Sequence, residues 1–195
     1  MKILYSDRDM VACVKPVGLD AEAGMCEALR KVLGGDFFCV HRLDKNVGGV
    51  MVYARHKTAA ARLSALIQNG DMVKEYVALV HGTAPESGEW EDLLFKDSSK
   101  NKVFVVKRER KGVKKARLAF VRLRSGDSSL VRIRLHTGRS HQIRVQFASR
   151  GYPLLGDHKY GARDERTEPA LFSCCLRFPW KDGERCYEYL PDWAE

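Results

Sequence analysis

The hydrophobic positions of this 195-residue chain fall in short bursts separated by turn-forming residues, a pattern that favours strands over helices. Ile3 to Tyr5 and Met10 to Val14 read as a hairpin around Ser6-Asp7-Arg8-Asp9, halted at Lys15-Pro16. Ala21 to Leu33 is expected as a helix that ends at Gly34-Gly35. Phe37 to Leu43 and Gly49 to Ala54 are rich in aromatic and branched residues and are expected as strands, joined by Asp44-Lys45-Asn46-Val47-Gly48. That connection puts Asp44 at a strand end, on a turn.

Helical spacing returns over Lys57 to Asn69, through Ala61, Leu63, Ala65 and Leu66, with Gly70 as its stop. Val73 to Val80 is expected as a strand with Tyr76 in its middle. Pro85 to Gly88 is a turn, no element is assigned between it and Lys102, and Lys102 to Val106 is a further strand. Lys107 to Lys115 reads as an exposed basic loop. Alternation predicts strands over Ala116 to Arg124 and Leu130 to Leu135, with Arg132 and Arg134 off one face. A Thr or Ser of Thr137-Gly138-Arg139-Ser140 can cap a helix from about His141 to Arg150, closed by Gly151 and broken by Pro153. Strands near Ala170 to Phe178 and Cys186 to Tyr189 complete the chain. Many strands, few helices and short turns predict an α+β fold on a largely antiparallel sheet. With no repeat and no long linker, one domain over residues 1–195 is expected.

Composition narrows the class. Hydrophobic residues make up 45% and charged residues 30%, which is globular, and no apolar run approaches the roughly 18 residues of a membrane span. The polar Ser6-Asp7-Arg8-Asp9 follows the start too soon for a secretory signal, so a cytoplasmic location is expected. The six cysteines include no C-x-x-C pair and the six histidines no H-E-x-x-H, so reduced thiols and no metal are expected.

Charge carries more information. The chain has a net charge of +9, and residues 100–150 hold 16 Lys and Arg against only Glu109 and Asp127, leaving the remainder net acidic. A solvated basic face is the plain explanation, and a face that attracts nucleic acid is the functional one. Three clusters could add chemistry: His41-Arg42-Leu43-Asp44, Lys74-Glu75-Tyr76, and His136 to Arg144. Each has a structural explanation: Asp44 as a turn former, Tyr76 as a strand aromatic, Arg144 as a helix-surface charge. Together they also make a reactive set. A carboxylate kept ionised by a guanidinium can act as a nucleophile, and a phenol can stack on a base and exchange a proton. Arg139, beside a helix start, could hold a phosphate.

Five motifs stand out: HRLD at 41–44, KEYVALVHG at 74–82, TGRSHQIRV at 137–145, G-x-P-x-x-GD-x-x-YG at 151–161 and an early Lys15-Pro16-Val17-Gly18. In this order they resemble the RluA family of pseudouridine synthases over essentially the whole chain. The resemblance implies a pseudouridine synthase catalytic fold, a mixed sheet flanked by helices and loops, with no separate N-terminal RNA-binding domain. It implies isomerisation of uridine to pseudouridine in ribosomal or transfer RNA, without metal, nucleotide or redox cofactor, by a protein expected to be a monomer. Asp44 matches the family's nucleophile, which attacks the anomeric carbon or the uracil ring, or promotes glycal formation. Tyr76 matches the tyrosine that stacks on the target base, and Arg144 the basic residue that pairs with the aspartate. Arg42 matches the residue near the extruded nucleotide, and His41, Lys74, Arg132, Arg134, Arg139 and His141 complete the expected RNA contacts.

Some positions depart from the family's usual residues. Val47-Gly48-Gly49 stands where Thr-Ser-Gly is common, Gln146 where a histidine often closes the third motif, and Ser173-Cys174-Cys175 where Leu-His-Ala is usual. Two other functions share parts of this pattern. One is a catalytically silent RNA-binding or assembly protein on the same scaffold. The other is a phosphodiesterase using His41 and His141, which needs both rings on one phosphate.

Overall fold

A computed structural model describes residues 1–181 and 183–194, which group into two compact units. One is built from both parts of the chain that flank the other, Met1–Lys74 with Phe172–Trp193, and the second is Glu75–Leu171.

The first unit is a sheet in the order β1 (Lys2–Ser6), β2 (Met10–Lys15), β4 (Gly48–Ala54), β10 (Leu171–Trp180), with β3 (Phe38–Cys39) on β4 and β11 (Gly183–Glu188) on β10. β2 runs antiparallel to β4 from Met10 opposite Ala54 to Lys15 opposite Gly49. β10 meets β4 in parallel, Phe172 opposite Gly48 and Ser173 opposite Gly49, so the sheet is mixed. All seven residues of β4 are buried, which explains why its sequence is a continuous apolar run instead of an alternation. On one face Met10, Ala12, Val50 and Val52 pack with Ala59 and Leu63 of α2 (Lys57–Asn69). Its alternate residues include Tyr53, whose hydroxyl donates to the Ala21 carbonyl just before α1 (Ala23–Leu33). α2 keeps the expected limits. His56 caps it by accepting the Ala59 N–H on Nδ1, and Gly70 closes it at φ +81°.

The second unit orders its strands β5 (Val73–His81), β9 (Ser128–Leu135), β8 (Val113–Arg124), β6 (Ser87–Asp97), β7 (Lys102–Val106). Trp90, Phe120 and Phe147 form an aromatic cluster with centroids 4.4–5.2 Å apart. Nearby packing joins Leu94, Val103, Ala116 and Val145. α3 (Gln142–Ala148) supplies Val145 and Phe147.

Several expectations shift. The strand expected over Phe37 to Leu43 is reduced to Phe38–Cys39, because the following residues turn away to present the Asp44 loop. β6, eleven residues long, lies where no element was assigned: its Glu89, Glu91 and Asp92 break up the apolar signal of a half-exposed strand. The basic loop is shorter than expected, since Val113 to Lys115 already pair with β6. The third helix loses its expected first and last residues, His141 being held at φ +50°, outside helical conformation.

Candidate active site

Asp44 lies on the loop between β3 and β4, where its carbonyl accepts the Val47 N–H at 2.9 Å to close a turn. The loop is anchored through Lys45, whose carbonyl accepts the Gly18 N–H (2.8 Å) and Nζ of Lys15 (3.2 Å). Lys15 is wholly buried at the end of β2 and also donates to the carbonyls of Pro16 (2.9 Å) and Leu19 (2.8 Å). Burial lowers its pKa to about 8, against the opposing pull of the Asp20 and Asp44 carboxylates. The Lys15-Pro16-Val17-Gly18 element thus serves as a clamp on the Asp44 loop.

Of Val47-Gly48-Gly49, Gly49 keeps the glycine of the usual Thr-Ser-Gly, and the packing shows why. Gly49 has φ +135°, and a Cβ on it would stand 2.4 Å from the Ser173 nitrogen and 2.6 Å from the Ser173 Cβ. Only glycine lets β10 approach the strand that leaves the loop. Ser173 itself is buried and donates to the Val50 carbonyl (3.1 Å).

His41, Arg42 and Lys74 belong to the same unit and differ in availability. The His41 ring accepts the Val52 N–H on Nε2 (3.1 Å), and burial, then the Lys74 charge, pushes its pKa down to about 3. This ring is neutral at pH 7 and brings no positive charge to a phosphate. Its value is in holding the HRLD segment to β4. Lys74 is half-buried and its pKa is lowered by that burial. Arg42 is exposed and rests on Glu22 at 3.2 Å, a surface pair that an incoming phosphate can replace at small cost.

In the second unit Tyr76 is buried within β5. Arg144 sits on α3, and Asp157 takes two of its donors, Nε to Oδ2 at 2.7 Å and Nη2 to Oδ1 at 2.8 Å. Both side chains are almost fully withdrawn from water, at 5% and 1% exposure. The fork geometry fixes the plane of the guanidinium, which also lies over the Tyr160 ring at 5.1 Å. Tyr160 in turn accepts the Val103 N–H (2.9 Å) and bonds Nδ1 of His141 (2.8 Å). His141, Tyr160, Asp157 and Arg144 are therefore one connected group. Arg132 does not project free of the sheet: it is held by Glu75, with Nε 2.8 Å and Nη2 2.7 Å from Oε2. Arg134 is exposed on the same strand. Arg139 is exposed, with Nε donating to the Lys115 carbonyl (2.9 Å) and its amide to Oε1 of Gln142 (3.1 Å). That amide is occupied, and α3 is only seven residues long.

Sequence reasoning missed Asp157, Glu75, Tyr160 and Lys15 as supports. Asp157 and Tyr160 fall inside the quoted G-x-P-x-x-GD-x-x-YG motif and Lys15 inside Lys-Pro-Val-Gly, so their positions were visible although their partners were not. The basic excess is also smaller than the count over residues 100–150 implied. Arg117, Arg122 and Arg150 are met by Glu89, Glu86 and Asp92, all from the missed strand or just before it. Gln146, in the position where a histidine is usual, donates to the same Asp92 at 2.7 Å. Among the described residues no group of three His, Cys, Asp or Glu is placed to hold a metal ion. No helix among them is long and apolar enough to cross a membrane.

Comparison with known proteins gives a single answer. The family model for RNA pseudouridylate synthase matches residues 11–149. Ribosomal large subunit pseudouridine synthase C of Buchnera aphidicola subsp. Acyrthosiphon pisum is 32% identical over 172 residues, covering 84% of this chain and 55% of that protein. Ribosomal large subunit pseudouridine synthase D of Vibrio cholerae is 34% identical over 176 residues, covering 84% and 53%. The chain thus spans about half the length of these curated relatives. Among solved structures, human RNA pseudouridylate synthase domain containing 4 superposes with a TM-score of 0.82 at 25% identity, over 99% of this chain and 90% of that one. The expected catalytic fold is borne out by that superposition, and with a family match spanning most of its length the chain belongs to the RNA pseudouridylate synthase family.

Proposed function

We propose that this chain isomerises uridine to pseudouridine in structured RNA, with Asp44, Tyr76 and Arg144 as its catalytic residues. The observation that carries the reading is the family match over residues 11–149, which spans all three. In the reaction the bond from a ring nitrogen to the anomeric carbon of the sugar breaks. A bond from a ring carbon to that same anomeric carbon forms, the hydrogen on the ring carbon leaves as a proton, and the freed ring nitrogen takes up a proton. Substrate and product are isomers, so the balance asks for no oxidant, reductant or nucleotide.

Each residue has a role that its chemistry suits. Asp44 supplies the carboxylate that attacks the anomeric carbon or the uracil ring, or promotes glycal formation. Tyr76 stacks on the extruded base and moves a proton. Arg144 supplies the cation that favours an ionised carboxylate, its plane set by Asp157. A stacked uridine cannot reach such groups, so it is flipped out at a cost of a few kcal/mol that phosphate contacts and stacking offset. Arg42, Arg134 and Arg139, all exposed, are the proposed sources of those contacts.

The relatives are named for the ribosomal large subunit, and this supports ribosomal RNA over transfer RNA as the target; a cytoplasmic location and a monomeric state are proposed with it. The test uses RNA from cells lacking this protein, tritiated at the ring carbon that becomes the new glycosidic carbon. Wild type is expected to release tritium to water and Asp44→Asn to release none while still binding the RNA. Equal silence from both, with tight binding by both, would leave an RNA-binding scaffold in place of an isomerase.

A further inference from the structure

The second unit contains a pocket of about 170 Å3 that the quoted motifs do not account for. Its position follows from strand register. Leu94 and Lys96 are two residues apart on β6 and share a face; across the ladders Leu94 lies opposite Lys114 of β8, and Lys96 opposite Val103 of β7. Leu94 and Val103 are buried and line it together with the two lysines. The loop before α3 closes another side with Arg139 and Ser140.

Three cations therefore face one small space, and no acidic residue lines it. Lys96, Lys114 and Arg139 have no carboxylate partner among the described residues, although carboxylates meet Arg117, Arg122 and Arg150 nearby. Gathering like charges without counter-charge is unfavourable unless an anion completes the site. The groups on offer are ammonium and guanidinium donors and one hydroxyl, which suit the acceptor-only oxygens of a phosphate. The apolar lining consists of aliphatic side chains with no ring on which a base could stack.

We infer that this pocket binds a backbone phosphate of the RNA substrate, with Lys96 and Lys114 as binding residues that no motif marks. The inference rests on the reading of this chain as an RNA uridine isomerase. The pocket is tied to Arg144 by bonded groups: Val103 in its lining donates to Tyr160, and Tyr160 contacts both His141 and the Arg144 guanidinium. Occupation of the pocket sets the path of the RNA strand relative to α3, so the two lysines contribute to substrate positioning more than to the bond-making step.

The experiment compares wild type with Lys96→Gln/Lys114→Gln and with Lys96→Arg/Lys114→Arg on the tritiated bulk RNA described above, with filter retention of the same RNA measured at several salt concentrations. The Gln pair is expected to raise apparent KM roughly tenfold with kcat within about twofold, and to make the salt slope of RNA retention shallower by about 1. The Arg pair restores both. Unchanged KM and slope in the Gln pair, or failure of the folded Arg pair to restore them, overturns the pocket while leaving isomerisation intact. Absence of tritium release by wild type overturns the isomerase reading instead, and the retention slopes then decide the pocket alone. Circular dichroism checks folding, and Lys114→Gln alone provides the same readouts should the double variant unfold.

Discussion

Arg144 and Asp157 are both withdrawn from water, so each depends on the other for the solvation it has lost. Removing Asp157 strips a buried guanidinium of two charge-assisted hydrogen bonds. Asp157→Ala is expected to lower stability by about 3–5 kcal/mol, whereas Arg42→Ala, which breaks an exposed pair with Glu22, is expected to cost less than about 1 kcal/mol. Urea midpoints at pH 7 separate the two. His41 makes a second prediction, in acid. Its folded-state pKa of about 3 lies below the ordinary value of 6.5, so between these values the unfolded chain binds more protons than the folded one. The neutral ring's stabilisation is complete above about pH 6.5 and is lost as pH falls toward 3, with a slope of at most about 1.4 kcal/mol per pH unit. His41→Gln can still accept the Val52 N–H and does not titrate, so its stability is expected to fall less than wild type's between pH 6.5 and 4. An equal fall in thermal midpoint for both proteins would remove His41 as the titrating group.

At the level of elements, the junction of β4 with β10 is where local conformation and packing constrain the same residue. Gly49 combines φ +135° with contacts to Ser173 too close for any Cβ. Gly49→Ala is therefore expected to destabilise by on the order of 3 kcal/mol or more and to disturb the Asp44 loop that precedes β4. Gly70→Ala is the comparison, because at the end of α2 a Cβ meets nothing within 4 Å and only the left-handed backbone resists it. Its cost is expected near 1 kcal/mol. Thermal unfolding of both reads the difference. The contrast between α2 and β6 shows which elements can be read from a sequence alone. α2 has helical spacing, Ala-rich turns and a glycine stop, all within one stretch of chain. β6 owes its existence to β7 and β8 on either side; of its acids, Glu89 is met by Arg117 of β8 and Asp92 by Arg150 beyond α3.

Across the whole molecule, the net charge of +9 acts on a polyanion through cations that lack internal partners. RNA affinity is expected to fall with salt along a log-log slope of about −0.7 to −0.9 for each phosphate neutralised, measured by filter retention between about 50 and 200 mM salt. The slope counts fewer phosphates than the 16 basic residues of 100–150, because Glu75, Glu86, Glu89, Asp92 and Asp157 already occupy five of them. Sequence alone determined the α+β class, the limits of α2, the turn bearing Asp44, the strand bearing Tyr76 and the motif order that marks the family. These depend on spacings of a few residues and on residue identity, which the chain carries locally. Tertiary structure decided that His41 is a neutral acceptor, that Lys15 clamps the Asp44 loop, that Asp157 orients Arg144 and that Lys96 and Lys114 face one pocket with Arg139. Burial, pairing and charge balance are set by groups tens of residues apart, and no local pattern specifies which of them meet.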